Sequence, residues 1–356
     1  MNSPKRKLGH FASSFLYVLR FFCSTRQLRR LALNPIFLFA CLVKKDKGLW
    51  IFSAWNGKKY LDNPKYVYKY ILDNHSEMKP VWITKDKELY KELVRQQLPV
   101  EYAYSFRGLW RQLRASAAIY THSVAWDFVP MVIGYTTKRV QTWHGVPIKK
   151  IGHDDKKAGN TRFREKIYTA LIPYLSERCD LVIACSKEDQ EKYRSAFSVQ
   201  PESVIITGYP RNDAMLRSAN SAGDDVQQRV VYMPTFRGGV NTEFTLLQDL
   251  AFDFKKFNQQ LKEIKTGLYI KLHPVQNFLD VDLAEIERAS NIFSIGNDGD
   301  IYENIGDFGM LITDYSGIYF DYLITNRPII MAPFDLESYI KNDRDLYYAY
   351  DDICPD

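Results

Sequence analysis

The sequence predicts an α/β fold of two Rossmann-like domains in tandem, preceded by a basic amphipathic segment. Three observations carry that expectation. From Leu49 onward, short apolar runs alternate with stretches of helical period, and such alternation is what a parallel sheet with crossover helices on both faces requires. The texture breaks once, at Arg217 to Gln228 (RSANSAGDDVQQ), where it becomes polar and unpatterned. Polar clusters then fall where apolar runs end, the place at which open parallel sheets bind ligands.

Residues 1–48 come first. Ten Lys or Arg against the single acid Asp46 make the first 50 residues +9, which leaves 6 − 9 = −3 for the rest of the chain. Basicity confined to one end points to an anionic surface met by the N-terminus and away from nucleic acid. Phe11, Phe15, Leu16, Leu19, Phe22, Leu28, Leu31, Phe37 and Phe39 lie among those cations, a composition suited to a helix lying in a membrane interface. The alternative is a helical hairpin packed on the protein's own core. The apolar run Pro35 to Val43 covers nine residues, against the roughly 20 that a span needs. Lys5-Arg6-Lys7 ahead of Phe11 to Phe22 resembles a signal peptide, but Arg20 interrupts it and no small-residue cleavage site follows. Cys23, Cys41, Cys179, Cys185 and Cys354 form no CxxC pair, and scattered odd cysteines suit free thiols in a reducing compartment.

The first domain is expected over 49–216. Its strands are Leu49 to Ser53, Val81 to Thr84, Ala117 to Thr121, Arg139 to Trp143, Asp180 to Cys185 and Val204 to Thr207. Helices are expected at Pro64 to Asn74, Lys87 to Gln97, Phe106 to Ala115, Arg162 to Leu175 and Lys187 to Phe197. After a linker at 217–228, the second domain runs from 229 to 356, with strands at Arg229 to Met233, Gly267 to Leu272, Asn291 to Ile295, Phe308 to Ile312 and Pro328 to Met331. Two such domains leave a cleft between them.

Four polar clusters fall at strand ends. The first is Trp143-His144-Gly145 with Lys149 following, where glycine allows close approach to a histidine exposed at the strand terminus. The second, Pro234-Thr235-Phe236-Arg237-Gly238-Gly239, sets a guanidinium fork beside a hydroxyl, a sensible clamp for phosphate oxygens. Lys271-Leu272-His273-Pro274 is the third, with Lys271 and His273 alternating to one face. The fourth is the strand-turn-helix unit DFGMLITDYSGIYFDYL, whose turn holds Asp314, Ser316 and Gly317 and offers unpaired N–H groups to an anion. Asp321 lies in its helical part, and Asp335 and Tyr339 follow it. Neither GxxxxGK[ST] nor GxGxxG occurs, which argues against a P-loop ATPase and a dinucleotide cofactor. Asp280-Val281-Asp282 and Asp298-Gly299-Asp300 have a spacing that can hold a divalent ion, in polar stretches where it arises by chance. The reading therefore names no cofactor and leaves metal dependence open.

WHGVPIKKIG (143–152), GYPRND (208–213), MPTFRG (233–238), KLHP (271–274) and ITDYSGIYFDYLITNRPIIMAPFDLESY (312–339) resemble, in order and spacing, the motifs of the CDP-glycerol glycerophosphotransferase family, the teichoic acid glycerophosphate primases and polymerases. The resemblance covers nearly all of residues 50–350. It implies a GT-B-type architecture, residence on the cytoplasmic membrane face, and transfer of glycerol phosphate from CDP-glycerol to a hydroxyl. The acceptor implied is a lipid-linked polyprenyl-diphosphate saccharide or polymer. By the same resemblance His144 and His273 are catalytic. It also implies that Thr235, Arg237 and Ser316 lie on the donor phosphates; from their places in the same strand-end clusters Lys271, Asp314 and Gly317 are expected there too, and Gly145 and Lys149 on the acceptor side. Gly317 is a departure, since the family usually has a second serine there, and the chain stops at Asp356 where family members usually continue. His144 suits the base and His273 a phosphate ligand; the converse assignment fits the residue types equally. CDP-ribitol or a nucleotide sugar as donor, or a membrane-docked binding protein without turnover, remain alternatives.

Overall fold

A computed structural model of the chain describes residues 24–155, 162–237, 242–273, 276–296, 299–342 and 345–353. Much of the expected membrane segment (1–23, with Cys23), and also Gly238, Gly239, Pro274, Asp298 and Cys354, lie outside these residues. The backbone divides into two compact units. The first comprises Met1–His144, Lys156–Ile183 and Tyr193–Ile206; the second comprises Gly145–Asp155, Ala184–Lys192 and Thr207–Asp356.

The first unit is built on β1 (Asp46–Phe52), β2 (Lys79–Thr84), β3 (Val100–Tyr102), β4 (Ala115–Tyr120), β5 (Lys138–Gln141), β6 (Leu181–Ala184) and β7 (Val204–Ile206), in the order β3-β2-β1-β4-β5-β6-β7. Ile51 lies opposite Val81 on one side and Ala118 on the other, both parallel. Side chains alternate across the sheet. Leu49, Ile51, Val81, Ile83, Ala118 and Tyr120 pack into one core layer with Phe128 and Ile133. Phe52, Trp82, Ala117 and Ile119 pack on the opposite face with Tyr68, Ile71 and Leu93. Burial on both faces is why these strands read as continuous apolar runs.

Ahead of the sheet stand two short helices, Thr25–Leu31 and Asn34–Leu42. Phe37 and Ala40 are fully buried, and Phe37 packs with Ile172 and Tyr174. Asn34 Nδ2 donates to Leu171 O at 2.8 Å and Tyr174 OH to Arg30 O at 2.8 Å. The other side of the second helix shows Leu38, Phe39 and Leu42 to solvent, Leu42 at 84% exposure. The hairpin thus packs on the core with one face and presents an apolar face outward. No helix among the described residues is long and apolar enough to cross a membrane.

The second unit repeats the plan with β8 (Arg229–Met233), β9 (Thr242–Phe244), β10 (Gly267–Ile270), β11 (Gln276–Phe278), β12 (Ile292–Ser294), β13 (Met310–Thr313) and β14 (Ile329–Met331). Its sheet has the order β12-β10-β8-β13-β14, all parallel, while β9 and β11 form a separate parallel pair. In both sheets the order reverses beside the first strand of the unit, between β1 and β4 and between β8 and β13. These are the switch points at which the carboxyl ends of the strands diverge and leave room for a ligand.

Details differ from the sequence expectation. The helix Pro210–Asn220 runs into the expected linker, started by Pro210 in the position that suits its missing N–H. The strand expected to reach Trp143 stops at Gln141, and the helix expected to reach Leu175 stops at Leu171, two residues before Pro173. The helix after the Asp314 to Gly317 turn is only five residues, Ile318–Tyr322. Its macrodipole is correspondingly small.

Candidate active site

In the first unit three strands that are neighbours in the sheet, β1, β4 and β5, are followed within three residues by Trp55, His122 and His144. Past β5 the chain turns sharply: Trp143 has φ 51° and Gly145 φ 133°, left-handed values that favour glycine at the second position. Asn63, buried at the start of the helix Asp62–Asn74, holds that turn by donating Nδ2 to Thr142 O (3.2 Å) and Trp143 O (3.1 Å). Asp62 accepts from Trp55 Nε1 at 3.1 Å. The His144 ring stacks on His122, with centroids 4.9 Å apart and planes 16° apart, and on Trp143 at 4.2 Å and 29°. Trp55 tilts against it at 5.7 Å. Asp127, wholly buried, accepts from His122 N (2.9 Å) and Asn56 N (2.8 Å). Burial pushes its carboxyl upward despite those bonds. The arrangement presents a partly exposed imidazole among fixed rings, with its backbone tied from two sides.

In the second unit the loops after β8, β10 and β13 meet at the switch point. Both oxygens of Asp314, a fully buried carboxylate, accept from Thr235 N at 2.9 and 3.0 Å. Arg237 donates Nε to Asp335 Oδ2 (2.6 Å), Nη2 to Asp335 Oδ1 (2.7 Å) and Asp314 Oδ2 (2.8 Å), and Nη1 to Thr235 O (2.6 Å). Burial opposes the charge on this guanidinium, but the two carboxylates outweigh it and its pKa rises. Burial likewise opposes ionisation of Asp335, and Arg237 overcomes that and holds the carboxyl below its ordinary range. Tyr315 OH donates to Asp335 Oδ1 at 2.8 Å. Lys149 Nζ lies 4.8 Å from the Tyr339 ring centroid and 5.9 Å from that of Tyr315, within cation–π range.

His273 follows β10 and tilts against Phe236 at 5.2 Å. Gln276 joins its loop to the others, donating N to His273 O (2.9 Å) and Nε2 to Arg237 O (3.3 Å). Lys271 is buried beside it. The Thr235 hydroxyl, on a residue 2% exposed, has no hydrogen-bond partner among the described residues. Ser316 is half-buried, and its carbonyl accepts from Tyr319 N at 3.2 Å.

Of the residues singled out by sequence, Thr235, Arg237 and Asp314 come into direct contact, and His273 joins them through Phe236 and Gln276, while Lys271 is buried two residues before it. Arg237 is engaged by carboxylates on its Nε and Nη2 edge, which a free phosphate clamp would leave open. Gly145 and Lys149, assigned to the acceptor side, pack with the second unit. A Cβ on Gly145 would lie 2.8 Å from Arg211 Nη2, and one on Gly317 3.0 Å from Val146 O. Arg211 is itself paired with buried Asp321, which also accepts from Tyr302 OH at 2.7 Å. Of the Asp-x-Asp pairs, Asp282 is buried and bonded by Gln248 Nε2 (2.6 Å), and Asp300 caps the helix Ile301–Asn304. Sequence reading passed over Trp55, Asn63, His122 and Asp127. The strand-end rule that singled out His144 after β5 finds His122 after β4 when applied to every strand.

A family model described as CDP-glycerol:poly(glycerophosphate) glycerophosphotransferase matches residues 36–356. A teichoic acid glycerol-phosphate transferase of Staphylococcus aureus is 27% identical over 328 residues, 87% of this chain and 80% of that protein. A teichoic acid poly(glycerol phosphate) polymerase of Staphylococcus epidermidis is 27% identical over 324 residues; the match covers 86% of this chain and 43% of the polymerase, less than half its length. Among solved structures, that of the wall teichoic acid polymerase TagF has the same fold, with a TM-score of 0.71 over 97% of this chain and 85% of that chain at 24% identity.

Proposed function

The chain belongs to the CDP-glycerol:poly(glycerophosphate) glycerophosphotransferase family, and we propose that it transfers glycerol phosphate from CDP-glycerol to a hydroxyl of a lipid-linked or polymeric acceptor in teichoic acid synthesis. The observation that carries this reading is the family match across 36–356, which spans both histidines and the carboxylate-bound loop of Arg237. In the reaction the acceptor oxygen attacks the glycerol-bearing phosphorus. An O–P bond forms, the bridging P–O bond to CMP breaks, and the hydroxyl proton passes to a base. CMP leaves readily because its phosphate has a second pKa near about 6. Catalysis therefore consists of deprotonating the nucleophile and neutralising oxygens in a loose transition state.

His144 is the proposed base. Its half-exposed ring among Trp55, His122 and Trp143 supports this, because fixed neighbours limit the orientations a proton-accepting nitrogen can take. His273, Lys271 and the Thr235 hydroxyl are the proposed ligands of the donor phosphates. Arg237 and Asp314 set the shape of that site, and Lys149 on its tyrosine pair adds positive charge. The protein works, on this proposal, at the cytoplasmic face of the membrane without crossing it. The outward apolar face of the helix Asn34–Leu42 and the cations of the N-terminal segment support that placement.

The test is nucleotide release from CDP-glycerol, CDP-ribitol and UDP-sugars, each with a membrane or lipid-linked acceptor fraction. CMP released from CDP-glycerol is expected, falling about 100-fold or more in His144→Ala and His273→Ala with folding unchanged. Release from CDP-ribitol in its place would change the donor, and UDP release would overturn the reading.

A further inference from the structure

The helix Phe106–Arg114 (FRGLWRQLR) has an outward face that nothing in the reaction uses. Its inward side is fixed: Gly108 and Gln112 are buried, and Leu109 and Leu113 pack on the core layer of the first unit. A Cβ on Gly108 would fall 2.0 Å from Tyr102 O, so the helix lies flush on the sheet and has no room to roll. Ser105 accepts from Gly108 N at 2.9 Å and pins the first turn. The outward side is thereby set as Phe106, Trp110 and Arg114 in one row and Arg107 and Arg111 in the next. Phe106 is 83% exposed, Trp110 50%, and the Arg107 side chain 77%. Arg114 lies over the Trp110 ring at 5.9 Å, and the helix contains no acid. Tyr104, just before it, is also exposed.

Exposed aromatics beside arginines are costly to keep in water, and they match one kind of surface well. In the headgroup layer of an anionic bilayer, indole and phenyl rings sit at the acyl boundary and guanidinium groups meet lipid phosphates. The same end of the first unit carries the outward face of the helix Asn34–Leu42. Lys45 Nζ donates both to Ala40 O (3.2 Å) and to Leu113 O (2.7 Å), so one ammonium joins the C-terminal ends of the two helices. We propose that the outward face of Phe106–Arg114 is a second membrane contact, binding anionic lipid headgroups alongside the N-terminal hairpin. This rests on the membrane reading above and extends it from the basic N-terminal segment to a helix of the folded domain. Two contacts on the first unit would fix which side of it faces the bilayer, where one alone would leave it free to swing.

The experiment is co-sedimentation of the full chain with vesicles of phosphatidylglycerol mixed into phosphatidylcholine, and with phosphatidylcholine alone, over a salt series. Three variants are compared: Phe106→Ser with Trp110→Ser; Arg107→Gln with Arg111→Gln and Arg114→Gln; and Leu38→Ser with Phe39→Ser and Leu42→Ser. In the arginine variant Arg107 is exposed but pairs with buried Glu101 at 3.3 Å, and Arg111 and Arg114 are half-buried, so thermal melts and CMP release establish that both variants fold before their binding is compared. Wild-type affinity for the anionic vesicles is expected to fall with salt, and each variant of Phe106–Arg114 to weaken it about tenfold or more. If both bind like wild type while the hairpin variant is released, the proposal fails and the membrane reading stands. A wild-type chain that ignores anionic vesicles overturns both. Losses confined to binding of an immobilised acidic polypeptide would assign the face to a protein and overturn the lipid proposal.

Discussion

At the scale of single residues, Asp314 and Asp335 show how carboxylates can shape a loop beside which a phosphate is proposed to bind. Placed near the donor, each would repel it; held against Arg237, they fix Thr235 and Tyr315 instead. Removing the cation leaves two carboxylates facing each other, one of them fully buried. Arg237→Met is therefore expected to lose about 3 kcal/mol of stability in urea unfolding, and Arg237→Lys less, because lysine keeps the charge but not the fork. The charge on Asp335 has a pH signature. Its pKa is depressed by Arg237, so the stability it contributes is present above the carboxyl's unfolded value and is lost as pH falls through the depressed one. Gly317 gives a sharper case. The Val146 carbonyl stands 3.0 Å from where its Cβ would be, so Gly317→Ala and Gly317→Ser should each lower the melting temperature, by an amount corresponding to about 1 kcal/mol. If serine also lowers KM for CDP-glycerol and alanine does not, the added hydroxyl reaches the donor.

At the scale of elements, the helix Lys187–Ala196 carries a cost at its start. Asp189 is 2% exposed, and burial pushes its carboxyl up to about 6. Below the ordinary carboxylate value both folded and unfolded chains are protonated and the group has no effect. As pH rises from there to about 6 the unfolded chain ionises first and stability falls, after which the penalty is constant. Asp189→Asn should therefore stabilise the protein at pH 7.5 by at most about 3 kcal/mol, with the gain vanishing near pH 4 in paired melts. Elements also differ in how far they are legible in sequence. Strands such as Arg229–Met233, buried on both faces, announce themselves as apolar runs, as do the short β7 (VII) and β14 (IIM), whereas β3 (VEY), β9 (TEF) and β11 (QNF) are equally short and interrupted by polar side chains. The site divides the same way. His144 and His273 follow apolar strands and carry motif neighbours, so sequence exposes them. His122 also follows an apolar strand, but between Thr121 and Ser123 it has no glycine or other motif neighbour to single it out. The tyrosine pair over Lys149 belongs to a distant part of the chain, and only folding joins them.

At the scale of the whole molecule, the chain enters the second unit three times, at Gly145, Ala184 and Thr207. The first visit is tied down by the residues near the C-terminus. Lys150 N donates to Asp345 O (2.8 Å), Tyr347 N to Ile148 O (2.8 Å) and Tyr347 OH to Asp154 Oδ2 (2.7 Å). Removing residues 345–356 should release the segment after His144; more rapid protease cleavage within 145–155 and reduced turnover in that variant would show it. This threading bears on inheritance as well as on folding. A single genetic crossover near residue 228 would bring together β8 onward from one parent with Gly145–Asp155 and Ala184–Lys192 from another; the pair Gly145–Arg211 would stay with one parent, while Gly317–Val146 would be split between the two. The second unit is thus not a cassette that one crossover can exchange whole. Hybrids that swap only the C-terminal half therefore carry the second unit from two parents, and a residue larger than glycine at 317 would have to fit against the Val146 carbonyl of the other parent.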